Sequence, residues 1–125
     1  DEEYERLVFQ AKVHAAIRET QQASEFLHFE VYRMRVLEGV QGKEVAEQIG
    51  ISEPTVSRHL QRVRNLLRER LTEIIGTYSF PSDELAEAEG AGLGGDDSLF
   101  DDAICELHLR HAQLLEIDDS RQPTQ

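Results

Sequence analysis

The hydrophobic and polar positions of this 125-residue chain repeat at helical spacing in five stretches. We predict helices over residues 3–22, 25–39, 43–49, 53–75 and 99–117. Ala, Leu, Glu, Arg and Gln are abundant and proline is rare, which also favours helix over strand. The pattern therefore predicts an all-α fold, with four helices close together in the sequence and a fifth set apart.

Residues 42–64 have the pattern of two helices joined by a tight turn. Gly50 suits a turn that requires a positive φ, and Ile51 can fill the space beneath that turn. Ser52 can cap the next helix by accepting a backbone N–H, and Pro54 is tolerated in a first helical turn. The buried face of that helix is predicted to comprise Val56, Leu60, Val63 and Leu67. This combination is typical of a helix-turn-helix.

The other face of the second helix carries side chains of the kinds that read DNA bases. That face carries Glu53, Thr55, Ser57, Arg58, Gln61, Arg62 and Arg68. Arg58 and Arg62 are four residues apart on one helical face, so either can pair bidentately with guanine. Arg64, Arg68 and Arg70 are expected to hold phosphates or to form surface salt bridges.

The net charge of −12 argues against DNA binding, but the charge is unevenly distributed. Residues 1–76 hold 11 of the 13 Lys and Arg, whereas residues 77–125 hold 12 of the 25 Asp and Glu. Residues 54–70 combine five arginines with one glutamate. Because local potential decides where phosphate binds, the pattern predicts a basic helix on a near-neutral domain, followed by an acidic extension.

The extension after the domain of residues 1–76 divides into three predicted parts. We expect a flexible acidic Gly/Ala/Glu linker at 77–98, an amphipathic helix at 99–117 and a disordered tail at 118–125. The extension would stay solvated, fold back near the arginine-rich helix as a weak DNA mimic, or dock its apolar face on the core or on a second copy. That apolar face comprises Phe100, Ala103, Ile104, Leu107, His111 and Leu114.

The last helix also offers metal-binding residue types, since Asp101, Cys105 and His108 recur at helical spacing with His111 one turn beyond. This arrangement is not a known zinc signature, and we predict no metal and no cofactor. With no nucleophile–base pair and no phosphate-binding loop, we predict that the protein is not an enzyme. No apolar run approaches the roughly 20 residues of a membrane span. The single cysteine fits a reducing cytoplasm, where we expect the protein to act.

Residues 8–75 resemble region 4 of the bacterial sigma-70 family, specifically the small extracytoplasmic-function type. The resemblance rests on Phe-Glu-Val-Tyr-Arg-Met-Arg-Val-Leu-Glu-Gly at 29–39, Lys-Glu-Val-Ala at 43–46, Gly-Ile-Ser at 50–52 with Thr-Val at 55–56, and the arginine-rich segment 62–71. Nothing in the chain resembles region 2 of that family. We therefore expect either a domain cut from a longer protein or an unusual parent.

The resemblance implies a specific activity. Region 4 reads the −35 promoter element through its recognition helix, packs on the flap of the RNA polymerase β subunit, and is commonly masked by anti-sigma proteins. Arg33, Arg35 and Lys43 would contact flanking phosphates. The residues implied to face the bases of promoter DNA are Glu53, Pro54, Thr55, Ser57, Arg58, Gln61 and Arg62. An acidic extension does not belong to the family's pattern, so the resemblance assigns it no role.

Two other functions fit the same pattern. A helix-turn-helix regulator of the response-regulator type would bind palindromic DNA as a dimer, whereas a sigma domain reads one asymmetric site as a monomer. A sigma-like protein-interaction module would bind polymerase or an anti-sigma partner without reading DNA.

Overall fold

A computed structural model describes residues 2–78, 93 and 96–121, with side chains described except at 76–78 and 114–121. Every regular element in these ranges is helical, which confirms the all-α fold. The elements are α1 (Glu2–Ala23), α2 (Phe26–Tyr32), α3 (Gly42–Ile49), α4 (Glu53–Tyr78) and α5 (Asp97–Arg121). Helix α2 continues directly into a π-helical turn, Arg33–Leu37.

The two long C-terminal helices extend beyond their predicted bounds. Helix α4 continues two residues past Gly76, because a helix tolerates a single glycine at a cost of about 1 kcal/mol. Helix α5 begins at Asp97 and ends at Arg121, so it extends beyond both ends of the predicted 99–117 helix. Most of the predicted linker, the side chain of Leu114 and the last four residues lie outside the described part of the chain.

The apolar side chains form two clusters. The bundle core joins α1, α2 and its π turn, α4 and α5, and comprises Phe9, Val13, Ala16, Ile17, Phe29, Tyr32, Val36, Val63, Leu67, Leu71, Ile75, Leu93, Phe100, Ala103, Ile104 and Leu107. The smaller turn core lies beneath the helix-turn-helix and comprises Val31, Met34, Val45, Ala46 and Val56. Leu60 packs against both clusters, so α4 connects the bundle to the helix-turn-helix.

Helix α5 is an integral part of the bundle. Phe100 and Ile104 are 1% and 0% exposed, and α5 packs on both α1 and the π turn. Of the three fates expected for the extension, the structure has α5 docked on the core. The physical reason is its amphipathic pattern, which leaves an apolar face that only a matching surface can cover.

The buried face of α1 differs in part from the face that the apolar spacing predicts, which comprises Leu7, Val8, Ala11, Ala15 and Ile17. The structure buries Phe9, Val13, Ala16 and Thr20, whereas Leu7 of the predicted stripe is 41% exposed. Thr20 can enter the core because its hydroxyl donates a hydrogen bond to the carbonyl oxygen of Ala16 at 2.7 Å. A polar residue at a core position hides the apolar repeat, which explains the incorrect stripe.

Candidate nucleic-acid interface

The turn between α3 and α4 has the geometry predicted for it. Gly50 lies in the left-handed region with a φ of 82°, and its N–H donates to the carbonyl of Ala46 at 2.9 Å. The N–H of Ile51 donates to the same carbonyl at 3.1 Å. This C-cap ends α3 and sets the direction in which α4 begins.

Gly50→Ala is expected to lower the free energy of unfolding by about 1–2 kcal/mol, because an L-residue is strained in the left-handed region. A Cβ at Gly50 would meet no atom within 4 Å, so the cost is conformational and not steric. Gly42→Ala is the matched control, since its Cβ would lie 3.9 Å from Arg35 Nε, an ordinary contact, without a positive φ. Urea unfolding of both variants measures the difference; equal stabilities would contradict the expectation.

Ser52 caps the recognition helix α4, as predicted. Its Oγ accepts the backbone N–H of Thr55 at 3.3 Å, and its carbonyl accepts the N–H of Val56 at 3.0 Å. The Ser52 and Thr55 hydroxyls are 2.8 Å apart, and Thr55 Oγ1 accepts a hydrogen bond from Arg58 Nη2 at 2.9 Å. The cap therefore also holds the guanidinium of Arg58 against the first turn of the helix.

The predicted base-facing residues share one surface of α4, here called the recognition face. Its exposed members are Glu53, Pro54, Ser57, Arg58 and Arg62, while Thr55 and Gln61 are partly buried. Asn65, which the sequence did not single out, accepts a hydrogen bond from Gln61 Nε2 at 2.8 Å. The face therefore offers guanidinium, hydroxyl and amide groups, which are the side chains that recognise base edges in the major groove.

A groove of about 600 Å³ runs between the start of α3 and the recognition face. Its walls are Arg35, Gln41, Gly42, Lys43, Glu53, Val56, Ser57 and Leu60. Two predicted phosphate ligands, Arg35 and Lys43, are exposed here beside the base-facing residues. The helix-turn-helix thus brings cations from two other segments next to the recognition face, as phosphate contacts flanking a base-reading helix require.

Arg33, the third predicted phosphate ligand outside α4, is held in internal ion pairs. Its guanidinium lies between Glu30 and Glu38, with Nε donating to Glu30 Oε2 at 3.0 Å. The hydrogen bond from Arg33 lowers the pKa of the Glu30 carboxyl. Neighbouring carboxylates thus use the donors of Arg33, whose structural role is to brace the π turn.

Arg64 and Arg68 face α5, and the structure corrects the expectation that they are open to phosphate. Arg64 is only 8% exposed and binds Asp101 through two hydrogen bonds, Nε to Oδ1 at 3.1 Å and Nη2 to Oδ2 at 2.6 Å. Arg68 Nη1 donates to Asp97 Oδ1 at 2.8 Å, and its guanidinium lies 4.5 Å from the centre of the Phe100 ring. Salt bridges were the other predicted role of both arginines, and Asp97 and Asp101 of α5 form such bridges with them.

The hydroxyl of Tyr32 completes this cluster by donating to Asp101 Oδ1 at 3.2 Å. Burial and the adjacent Asp101 carboxylate both raise the pKa of Tyr32, so the hydroxyl stays protonated and remains a donor. Arg64 and Asp101 are 37 residues apart in sequence. Only the fold brings them together, and the sequence signal for their pairing was limited to complementary net charge.

The residues with metal-ligand spacing on α5 have separate partners. Asp101 binds Arg64, the Cys105 thiol faces the carbonyl of Leu37 at 4.0 Å, and His108 stacks on His14 of α1. Burial raises the pKa of the Cys105 thiol, which keeps it protonated. Within residues 2–78, 93 and 96–121, no three His, Cys, Asp or Glu side chains are arranged to hold a metal ion.

Three histidines meet where α1 packs on α5. The ring centroids of His14 and His111 are 4.2 Å apart, and those of His14 and His108 are 6.0 Å apart. Burial, followed by repulsion from His111, lowers the pKa of both His14 and His108; Arg18 lowers that of His14 further. Neutral rings can stack, whereas two protonated rings at this distance repel each other.

This histidine stack predicts a loss of stability as the pH falls. Below the ordinary histidine pKa of 6.5, the unfolded chain binds protons that His14 and His108 in the folded protein exclude, so unfolding is favoured. The contribution of the neutral His14 and His108 to stability is therefore complete above pH 6.5, and it is lost as the pH falls through their lowered pKa values. Urea midpoints between pH 7.5 and 5.5 should fall less steeply in His14→Gln than in the wild type. If the urea midpoints of the two proteins fall equally with pH, the histidine stack is not the origin of the pH dependence.

Residues 29–67, which include the π turn, the helix-turn-helix and the recognition face, match the family model described as Sigma-70, region 4. No curated protein and no solved structure matches the chain. In the part of the chain that the structure describes, no helix is both long enough and apolar enough to cross a membrane.

Proposed function

We propose that this domain, whose residues 29–67 match the family model described as Sigma-70, region 4, recognises a promoter −35 element and helps to direct RNA polymerase to it. The fold and the family support a DNA-binding role in transcription in general. The specific proposal is that α4 enters the major groove at one asymmetric site, as a sigma domain of the extracytoplasmic-function type would. We propose that the protein acts in the cytoplasm by binding, without catalysis.

The observation that carries the proposal is the exposed recognition face next to an exposed basic rim. Arg58 and Arg62 lie on the first three turns of a capped helix, the part that enters a groove in helix-turn-helix proteins. Arg35 and Lys43 lie across the 600 Å³ groove, where they can neutralise phosphates. Base-reading and phosphate-binding groups are thus arranged along one side of the molecule.

We further propose that the polymerase β flap and an anti-sigma protein are the protein partners of this domain. Both follow from the family alone. If the domain binds the flap, it should co-purify with core RNA polymerase, and an isolated flap fragment should compete for it. Retention unaffected by excess flap would place the polymerase contact elsewhere.

The decisive experiment is the selection of binding sites from randomised duplex DNA with the whole chain. We expect one short asymmetric site, bound by one copy of the protein. An enriched palindrome would instead support the dimeric regulator. No enrichment, even in the presence of core polymerase, would support the protein-interaction module. The whole chain is required because α5 supplies part of the bundle core.

A further inference from the structure

Helix α5 places carboxylates on two arginines of the recognition helix. Asp97 contacts both of them, at 2.8 Å from Arg68 and 3.4 Å from Arg64, and Asp101 binds Arg64 bidentately. Two carboxylates in contact with two guanidinium groups reproduce the charge arrangement of phosphates on the same arginines. The contact lies within one chain, and the recognition face itself remains uncovered.

The position of these arginines along α4 determines what else could bind them. At 1.5 Å per residue, Arg64 and Arg68 lie about 9 and 15 Å beyond Arg58 along the helix axis. The major groove is only about 12 Å wide, so a helix inserted by its N-terminal turns emerges past the groove edge. At that edge the nearest charged groups of the duplex are backbone phosphates, which fix the register of a bound protein.

The N-terminal turns of α5 also lie beside the basic groove. A second cavity, of about 430 Å³, separates α5 from the helix-turn-helix. Arg35 and Leu60 line both this cavity and the 600 Å³ groove, so the two spaces adjoin. Asp101 and Asp102 line the α5 side of the second cavity. A duplex that used Arg35 would therefore approach the acidic edge of α5.

We propose that α5 is a built-in competitor of DNA, whose Asp97 and Asp101 occupy the arginines that duplex phosphates would otherwise bind. The inference rests on the proposed promoter-binding function and adds an internal control to it. In the docked state, DNA contacts only the recognition face and the Arg35–Lys43 rim. When Asp97 and Asp101 dissociate from the two arginines, Arg64 and Arg68 add phosphate contacts beyond the groove edge.

The two ion pairs differ in how readily a phosphate can replace the carboxylate. The side chains of Asp97 and Arg68 are 48% and 34% exposed, so water and salt screen this pair. The side chains of Arg64 and Asp101 are 9% and 18% exposed, and the Tyr32 hydroxyl also holds Asp101. Arg68 is therefore the first arginine to exchange its α5 carboxylate for a phosphate. Arg64 exchanges Asp101 for a phosphate only when α5 moves.

The test compares two variants of the full chain with the same change in charge. Asp97→Asn with Asp101→Asn removes the two α5 carboxylates that contact Arg64 and Arg68. It leaves the Asp96 side chain that caps α5 through the Leu99 N–H. Glu5→Gln with Glu19→Gln makes the same change in charge at two exposed carboxylates of another helix, α1. Affinity for the selected duplex is measured over a series of salt concentrations.

The variant with Asp97→Asn and Asp101→Asn, here called the clamp variant, should bind DNA several-fold more tightly than the control variant at low salt. Its plot of log K against log salt should be steeper than that of the control by about one to two, because each added phosphate contact contributes about 0.9. Equal affinities and equal slopes in the two variants would overturn the proposal. Asp97→Asn alone, at a half-exposed position, is expected to add about one contact by the same measure.

The outcomes separate this inference from the proposed function. If the wild type prefers the selected duplex over a scrambled one but the clamp variant gains nothing, only the inference fails. If no variant distinguishes selected from scrambled DNA, the promoter-binding function fails with it. Thermal unfolding of each variant reports whether α5 stays docked. If the double variant unfolds at a lower temperature than the control, the single variant decides the outcome.

Discussion

Replacing both Arg58 and Arg62 with alanine is expected to reduce the preference for the selected site over scrambled DNA by roughly 30-fold or more. The estimate follows from about 1–3 kcal/mol of discrimination for each bidentate arginine–guanine contact, with 1.4 kcal/mol for each factor of ten. Both side chains are exposed and lie one turn apart on the recognition face, so their removal leaves the two cores intact. Competition binding with labelled selected duplex measures the ratio.

The matched control is Arg6→Ala with Arg110→Ala, which removes two exposed cations from α1 and α5, outside the helix-turn-helix. The control should weaken binding to selected and scrambled duplex equally, since it changes only the overall charge. If the two double variants lose preference to the same extent, Arg58 and Arg62 do not read bases. Unchanged unfolding midpoints would show that neither change alters the fold.

Phe100→Ala is expected to lower the free energy of unfolding by about 3–5 kcal/mol, a large share of the stability of a domain of this size. The ring is 1% exposed in the bundle core, and its face also supports the guanidinium of Arg68 at 4.5 Å. The substitution therefore leaves a cavity and removes the surface on which the Arg68–Asp97 pair rests. Leu99→Ala is the control, since the adjacent side chain is 54% exposed. Chemical denaturation of both variants makes the comparison.

A stability loss below about 1 kcal/mol in Phe100→Ala would mean that α5 is not docked in solution, since surface changes fall in that range.

The docking of α5 on the core also determines how a shortened chain should behave. A protein that ends before α5 would expose the apolar surface of α1 and the π turn on which α5 packs. We expect such a protein to aggregate, and its DNA affinity would not report on the acidic contact alone.

The helix-turn-helix could be predicted from the sequence because its determinants are local. Gly50 must accept a positive φ, Ser52 must cap within three residues, and Val56 and Leu60 follow at helical spacing. Each requirement is met inside a window of about a dozen residues. The matching family model covers residues 29–67, which include this window, and so supports the helix-turn-helix interpretation.

The environment of Arg64 could not be predicted, because its partners lie 33 and 37 residues away. On a helical wheel, an arginine beside the apolar face is compatible with phosphate, solvent or an ion pair. Only the docking of α5 selects the ion pair. The π turn at Arg33–Leu37 is similar, since no local residue preference marks a wider turn inside a helical pattern.

The placement of α5 on the same chain as α4 has a consequence for how DNA binding would respond to protein concentration. Tyr78 and Asp97 are separated by 18 residues, so the carboxylates meet the arginines as an intramolecular reaction. A short tether corresponds to an effective concentration in the millimolar range. Dilution or overproduction of the protein therefore leaves the occupancy of Arg64 and Arg68 unchanged. Ionic strength, or a ligand that captures α5, shifts it.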